Sequence, residues 1–197
     1  GRSRRARVSD ASRALVSFAT ARLRPPRPIG IEEWATENVV LAEGPRALQR
    51  FSLAGYEYQR GIWESCELAA RGDCFSRAVV PKGGQTTHTT TFAMVLPLYL
   101  AAIERRSSLI VQPDEGKAER FSKKLWSLIE ASPRLRELFP GRQKVSDLVS
   151  AQRIPIRVAF SSSRDQLMGE SASLVVLDEF DRLVGCDGSD LAPWDTA

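Results

Sequence analysis

Leu174, Val175, Val176 and Leu177 form an uninterrupted apolar run that stops on two adjacent carboxylates, Asp178 and Glu179. Four such residues in succession predict a strand buried on both faces, as strands of a covered parallel sheet are. Open parallel sheets bind their ligands outside the carboxyl ends of the strands, where these acids stand. The run has the outline of a Walker B motif, in which the first acid holds Mg2+, directly or through water, and its neighbour orients or deprotonates an attacking water. A strand that runs into an acidic turn has the same spelling, so the reading depends on what surrounds it.

The surrounding chain alternates helix and strand patterns. Residues 31–35 and 58–70 predict helices, the second with Ile62, Trp63, Cys66 and Ala69 at helical spacing. Residues 75–81 predict a strand, 82–87 a Gly/Thr-rich loop, and 88–105 a helix kinked at Pro97. A strand at 108–112 and an amphipathic helix at 114–131 follow, then a shorter helix with Ser132 as its cap and Pro133 in its first position. Further strands are expected near 143–148 and at 156–160. This order predicts an α/β fold, a mostly parallel sheet with helices on both faces.

Composition sets the outer bounds. With 43% hydrophobic and 26% charged residues over 197 positions, the chain suits one good-sized globular domain with a tail. No apolar stretch reaches the roughly 18 residues of a membrane span, so a soluble protein without membrane partners is expected. Charge divides the chain: residues 1–30 hold eight arginines against one acid, Asp10, which leaves the remainder slightly acidic although the whole carries +4. Residues 1–30 therefore read as a basic arm, with a helix capped by Ser9 and a linker at Pro25-Pro26, and residues 31–197 as the domain. Phosphate contact, docking of a partner subunit and simple solvation are all compatible with such an arm. Cys66, Cys74 and Cys186 have no paired metal-ligand spacing and no secretory signal upstream, which reads as reduced thiols in a cytosolic protein.

The loop after the strand at 75–81 carries the second candidate constellation. Residues 80–90 read Val-Pro-Lys-Gly-Gly-Gln-Thr-Thr-His-Thr-Thr. Glycines let backbone amides crowd an anion, and the loop opens a helix whose positive end points at it. Against the pattern G-x-x-x-x-G-K-[ST], however, Lys82 stands at the first glycine, Thr87 at the second and His88 at the lysine, and only Thr89 fits. A turn that simply starts a helix would have the same composition.

A strand, an anion loop, a helix and then a strand ending in Asp-Glu follow the order of P-loop hydrolases. The deviant loop, with lysine first and threonine last, resembles that of phage terminase large subunits of the lambda type, in which the phosphate lysine can stand at the start of Walker A. The resemblance covers roughly residues 28–183. Glu32-Glu33-Trp34-Ala35 looks like the family's opening segment, and Tyr56-Glu57-Tyr58-Gln59-Arg60-Gly61-Ile62 is similar to its adenine-side stretch. Leu109-Ile110-Val111-Gln112-Pro113 matches the strand-end "VVQP", with Ala118, Phe121-Ser122 and Leu125 similar to the helix after it. Asp178-Glu179-Phe180-Asp181-Arg182 is similar to the family's "DEVDR".

The resemblance implies a P-loop NTPase-like ATPase domain, incomplete at its carboxyl end. It implies a motor that couples hydrolysis of ATP, with Mg2+, to movement of double-stranded DNA into a procapsid in the host bacterial cytoplasm. Small terminase subunit, portal protein and a homo-oligomeric ring are the implied partners. Carried over by position, Lys82 supplies the cation to the β- and γ-phosphates, and the amides of Gly83, Gly84, Gln85, Thr86, Thr87 and His88 hold phosphate oxygens. Thr89 and Asp178 hold the metal, and Glu179 orients and deprotonates water. Gln59 bonds the adenine edge, with Tyr58 or Tyr56 packing nearby.

Two departures qualify this picture. Thr87 replaces a glycine, and His88, weakly charged at neutral pH, replaces a lysine, so either Lys82 does the work or turnover is slow. Asp187, Asp190 and Asp195 read as surface loop, and no nuclease activity is expected. A catalytically impaired binding or assembly module and a helicase-like DNA translocase are the alternative readings.

Overall fold

The computed structural model describes residues 29–71, 89–142, 147–167, 171–179 and 182–183. At its centre is β1 (Ser108–Gln112), buried at every position. It pairs in parallel with β4 (Pro155–Phe160) on one side and β5 (Leu174–Leu177) on the other. Beyond β4 come β3 (Asp147–Val149) and β2 (Gly141–Arg142), both antiparallel to their neighbours, giving the order β2-β3-β4-β1-β5.

The fold is α/β as expected, but the sheet is mixed instead of mostly parallel. Connection length explains the difference. A parallel crossover needs a dozen or more residues, whereas β3 and β4 are joined only by residues 150–154. That turn closes through Ser150 N–H to the Ile154 carbonyl (3.0 Å), with Arg153 in the left-handed region at φ 65°. The strand expected near 143–148 is represented by β2 and β3, with 143–146 outside the described residues.

One face of the sheet is well covered. Ile110, Ile156 and Val158 share a core with α1 (Ile31–Asn38), α3 (residues 89–104), α4 (Glu115–Ala131) and α5 (Pro133–Leu138). Within it Trp34 meets Tyr99 edge to face at 5.7 Å, and Tyr99 donates its hydroxyl to the Ile29 carbonyl. α2 (Arg60–Arg71) follows a 3-10 turn at Glu57–Gln59 and stacks Trp63 on Phe51. Arg60 forks onto both carboxylate oxygens of Glu32, tying α2 to α1 and raising its own already high pKa.

The other face carries a smaller cluster of Leu109, Val111, Ala159 and Leu183, with Leu167 of α6 (Arg164–Leu167) against it. Register sets Val175 beside Leu109 and Leu177 beside Val111, on this same face. Both are open, 53% and 45% exposed, so β5 is not buried on both faces as its composition predicts. Its only ladder among the described residues is to β1. The run of apolar residues reflects a face that these residues leave uncovered.

α3 is buried nearly all round and runs close to the expected 88–105. Its turns widen to π-type bonding on both sides of a short α segment that contains Pro97, which has no amide to give to the ladder. The helix ends on Arg105 at φ 54°.

Candidate functional site

β1, β4 and β5 end level, because register pairs Gln112 with Phe160 and Val111 with Leu177. The chain leaves β1 toward β4 and returns on the opposite side as β5, so the strand order reverses beside β1. Such a reversal opens a crevice at the carboxyl edge of the sheet. Asp178 stands there, its amide donating to the Val111 carbonyl at 3.1 Å. Ser161 caps the neighbouring edge, its amide on the Gln112 carbonyl and its hydroxyl on that of Pro113, both 2.9 Å.

Three side chains converge on this point. Thr89, at the start of α3, brings its Oγ1 to 3.4 Å from each carboxylate oxygen of Asp178, across a sequence separation of 89. That is long for a hydroxyl–carboxylate bond, so the two share a site without being clamped together. Gln112, nearly buried at the end of β1, donates its Nε2 to Asp178 Oδ2 at 3.3 Å and biases the orientation of the carboxylate.

Glu179 points its charge elsewhere. Its Oε2 meets Lys117 Nζ at 2.5 Å and, more loosely, Arg182 Nη1 at 3.6 Å. Its backbone is left-handed at φ 52°, a conformation that costs a residue with a long side chain about 1–3 kcal/mol and clusters at functional sites. Lys117 reaches it from the first turn of α4. Asp114 caps that helix, Oδ1 accepting from the Lys117 amide at 2.8 Å. Gly116 leaves room for the cap, since a Cβ there would come within 3.3 Å of the same oxygen.

The residues of the expected adenine side sit on the 3-10 turn before α2. Gln59 is fully buried, whereas Tyr58 is 56% exposed, and the Gln59 amide donates to the Tyr58 hydroxyl at 3.3 Å. Tyr56 lies edge-on to Tyr58 at 6.5 Å. Beside them the Gly55 amide, donating to Glu57 at 3.0 Å, holds that carboxyl below its ordinary range.

Of the residues expected from sequence, Thr89 and Asp178 are thus brought together and Glu179 stands next in the chain. Lys82, Gly83, Gly84, Gln85, Thr86, Thr87 and His88 lie outside the described residues, as do the arm at 1–28 and the acids Asp187, Asp190 and Asp195. Gln112 and Lys117 were missed as site residues. A polar residue closing an otherwise apolar strand was the available signal for the first, and a lysine three positions after a capping aspartate for the second.

No helix among the described residues is long and apolar enough to cross a membrane. Comparison with curated proteins and with solved structures returned no match. A family model described as phage terminase large subunit gpA, ATPase domain, matches residues 50–192, which span the glycine-bearing stretch of sequence at 82–89, β1, α4 and the acids at 178 and 179. With most of its length under that match, the chain belongs to the gpA family of phage terminase large subunits, in their ATPase domain.

Proposed function

We propose that this chain binds ATP at the carboxyl edge of β1 and β5 and hydrolyses it to drive double-stranded DNA into a viral procapsid. The observation that supports this most is the approach of Thr89 to Asp178. It unites the threonine that follows the glycine-bearing stretch of sequence with the acid that ends the late strand, the two positions at which a P-loop hydrolase holds its metal.

In this reading Lys82 neutralises the β- and γ-phosphates, a point charge whose flexible stem compensates for its displaced place in the loop. Amides of Gly83, Gly84, Gln85, Thr86, Thr87 and His88 receive phosphate oxygens, and Gln59 and Tyr58 receive the base. Asp178 and Thr89 would hold Mg2+. Carboxylate and hydroxyl oxygens are the hard donors that this cation takes when it is shared with phosphates. The bound ion supplies charge stabilisation to the transferring phosphoryl group. Glu179 takes a proton from water as the water oxygen bonds to the γ-phosphorus. The bond from that phosphorus to the β–γ bridging oxygen breaks, leaving ADP and phosphate.

Double-stranded DNA, a small terminase subunit that docks on the basic arm, a portal protein and a ring of copies of this chain complete the proposal, set in the host cytoplasm. A second reading, an assembly module that binds nucleotide without turning it over, is favoured by His88 at the usual lysine position.

Phosphate release measured with and without DNA separates the two. Glu179→Gln should keep nucleotide binding while kcat falls about 10²–10⁴-fold, the worth of a general base. Lys82→Ala should abolish turnover. Full activity in Lys82→Ala contradicts the displaced-lysine mechanism, and tight binding without turnover in the wild type selects the assembly module.

A further inference from the structure

We infer that Lys117 is the positioning residue for Glu179, holding one oxygen of its carboxylate so that the other faces the attacking water; the inference rests on the ATPase reading. The two residues are 62 apart in sequence and meet at 2.5 Å. Their side chains are 24% and 35% exposed, so the lysine has given up most of its hydration for this one partner.

Three features make this contact more than a surface ion pair. The first is its asymmetry: Lys117 and Arg182 both take Oε2, and among the described residues Oε1 accepts no bond. A carboxylate anchored through one oxygen and open at the other is arranged as an oriented base is, its third group fixing its direction. The second is rigidity. Lys117 is fixed at its own amide by the Asp114 cap, and α4 behind it is anchored in the core by Ala118, Phe121, Leu125, Leu128 and Ile129. A catalytic group supported from a packed helix is held more closely than one supported from a loop. The third is backbone strain: Glu179 adopts φ 52°, and an ion pair on its side chain is the kind of tertiary contact that sustains such a conformation. Lys117 touches neither phosphate nor water in this account; it acts through Glu179.

The test uses the 197-residue chain with Mg2+ and ATP, measuring nucleotide binding and steady-state phosphate release for the wild type, Lys117→Met and Lys117→Arg, with thermal melts to confirm folding. Lys117→Met removes the charge and keeps most of the volume. Its kcat should fall at least tenfold while KM for ATP changes less than twofold, and Lys117→Arg should recover most of the loss. In a Glu179→Gln background the same lysine substitution should have no further effect on turnover, because the group it positions is gone. Turnover in Lys117→Met equal to or faster than wild type overturns the inference and leaves the ATPase reading standing. Nucleotide binding without turnover in the wild type selects the assembly module and removes the ATPase reading with the inference. Absence of nucleotide binding in the wild type removes the ATPase reading and the inference together.

Discussion

Thr89 and Asp178 meet at the carboxyl edge of the sheet across a sequence separation of 89. One ends a glycine-bearing stretch of sequence, the other an apolar run, and the structure brings them to 3.4 Å. Gln112 and Lys117 were not read as site residues, since their local signals, a polar end to an apolar strand and a lysine after a capping aspartate, are too common to single them out. Their roles arise only where β1 meets β5 and where the first turn of α4 passes the turn at Glu179. Gln112 carries a prediction at this scale. Its amide donates to Asp178 Oδ2 from a nearly buried position, so Gln112→Leu should leave the strand folded but release the carboxylate. With Asp178 in its proposed role, losing an outer partner of a metal ligand typically costs 10–100-fold in metal affinity, and the Mg2+ concentration giving half-maximal ATP binding should rise by about tenfold or more. An unchanged Mg2+ requirement would show that the bond, 3.3 Å long, orients nothing.

Among the elements, those with chemical punctuation were read well. α4 begins where Asp114 follows a proline, and its observed span, Glu115–Ala131, agrees with the expected helix at 114–131. Ser132 is the N-cap of α5 with Pro133 in its first turn, as expected, though its side chain makes no bond to that helix. Its buried hydroxyl donates to the Leu128 carbonyl at 2.7 Å and accepts from the Val40 amide at 2.8 Å, binding α4 to the segment after α1 instead. The pairing of Val40 with Arg50 had no sequence signal, because neither flank alternates. Strand direction also escaped, since it depends on how short the β3–β4 connection is and not on the composition of either strand. The Asp114 cap gives the prediction here. Asp114→Ala should destabilise the fold by about 1 kcal/mol, and for a chain of this size the melting temperature should drop by about 2–4 °C. No change would mean that the Lys117 amide finds an equal partner in water.

At the scale of the whole molecule, the α/β class and the order of its elements followed from periodicity, while the layering did not. A run such as Leu174–Leu177 records only that apolar side chains suit both directions. Val175 and Leu177 remain open, and among the described residues the second face is covered less than the first. The partition into a basic arm and a domain remains an expectation, its first part lying outside the described residues. What the described residues do carry is a sheet whose parallel strands end together beside a reversal of strand order, with Asp178 at that edge. Placing nucleotide there is the central claim, and titration of ATP with and without Mg2+ into the wild type and Asp178→Asn tests it most directly. The wild type should bind more tightly with the metal, and the variant should lose at least tenfold in affinity with Mg2+ while changing little without it. Equal Mg2+-dependent affinity in the two proteins would contradict the account.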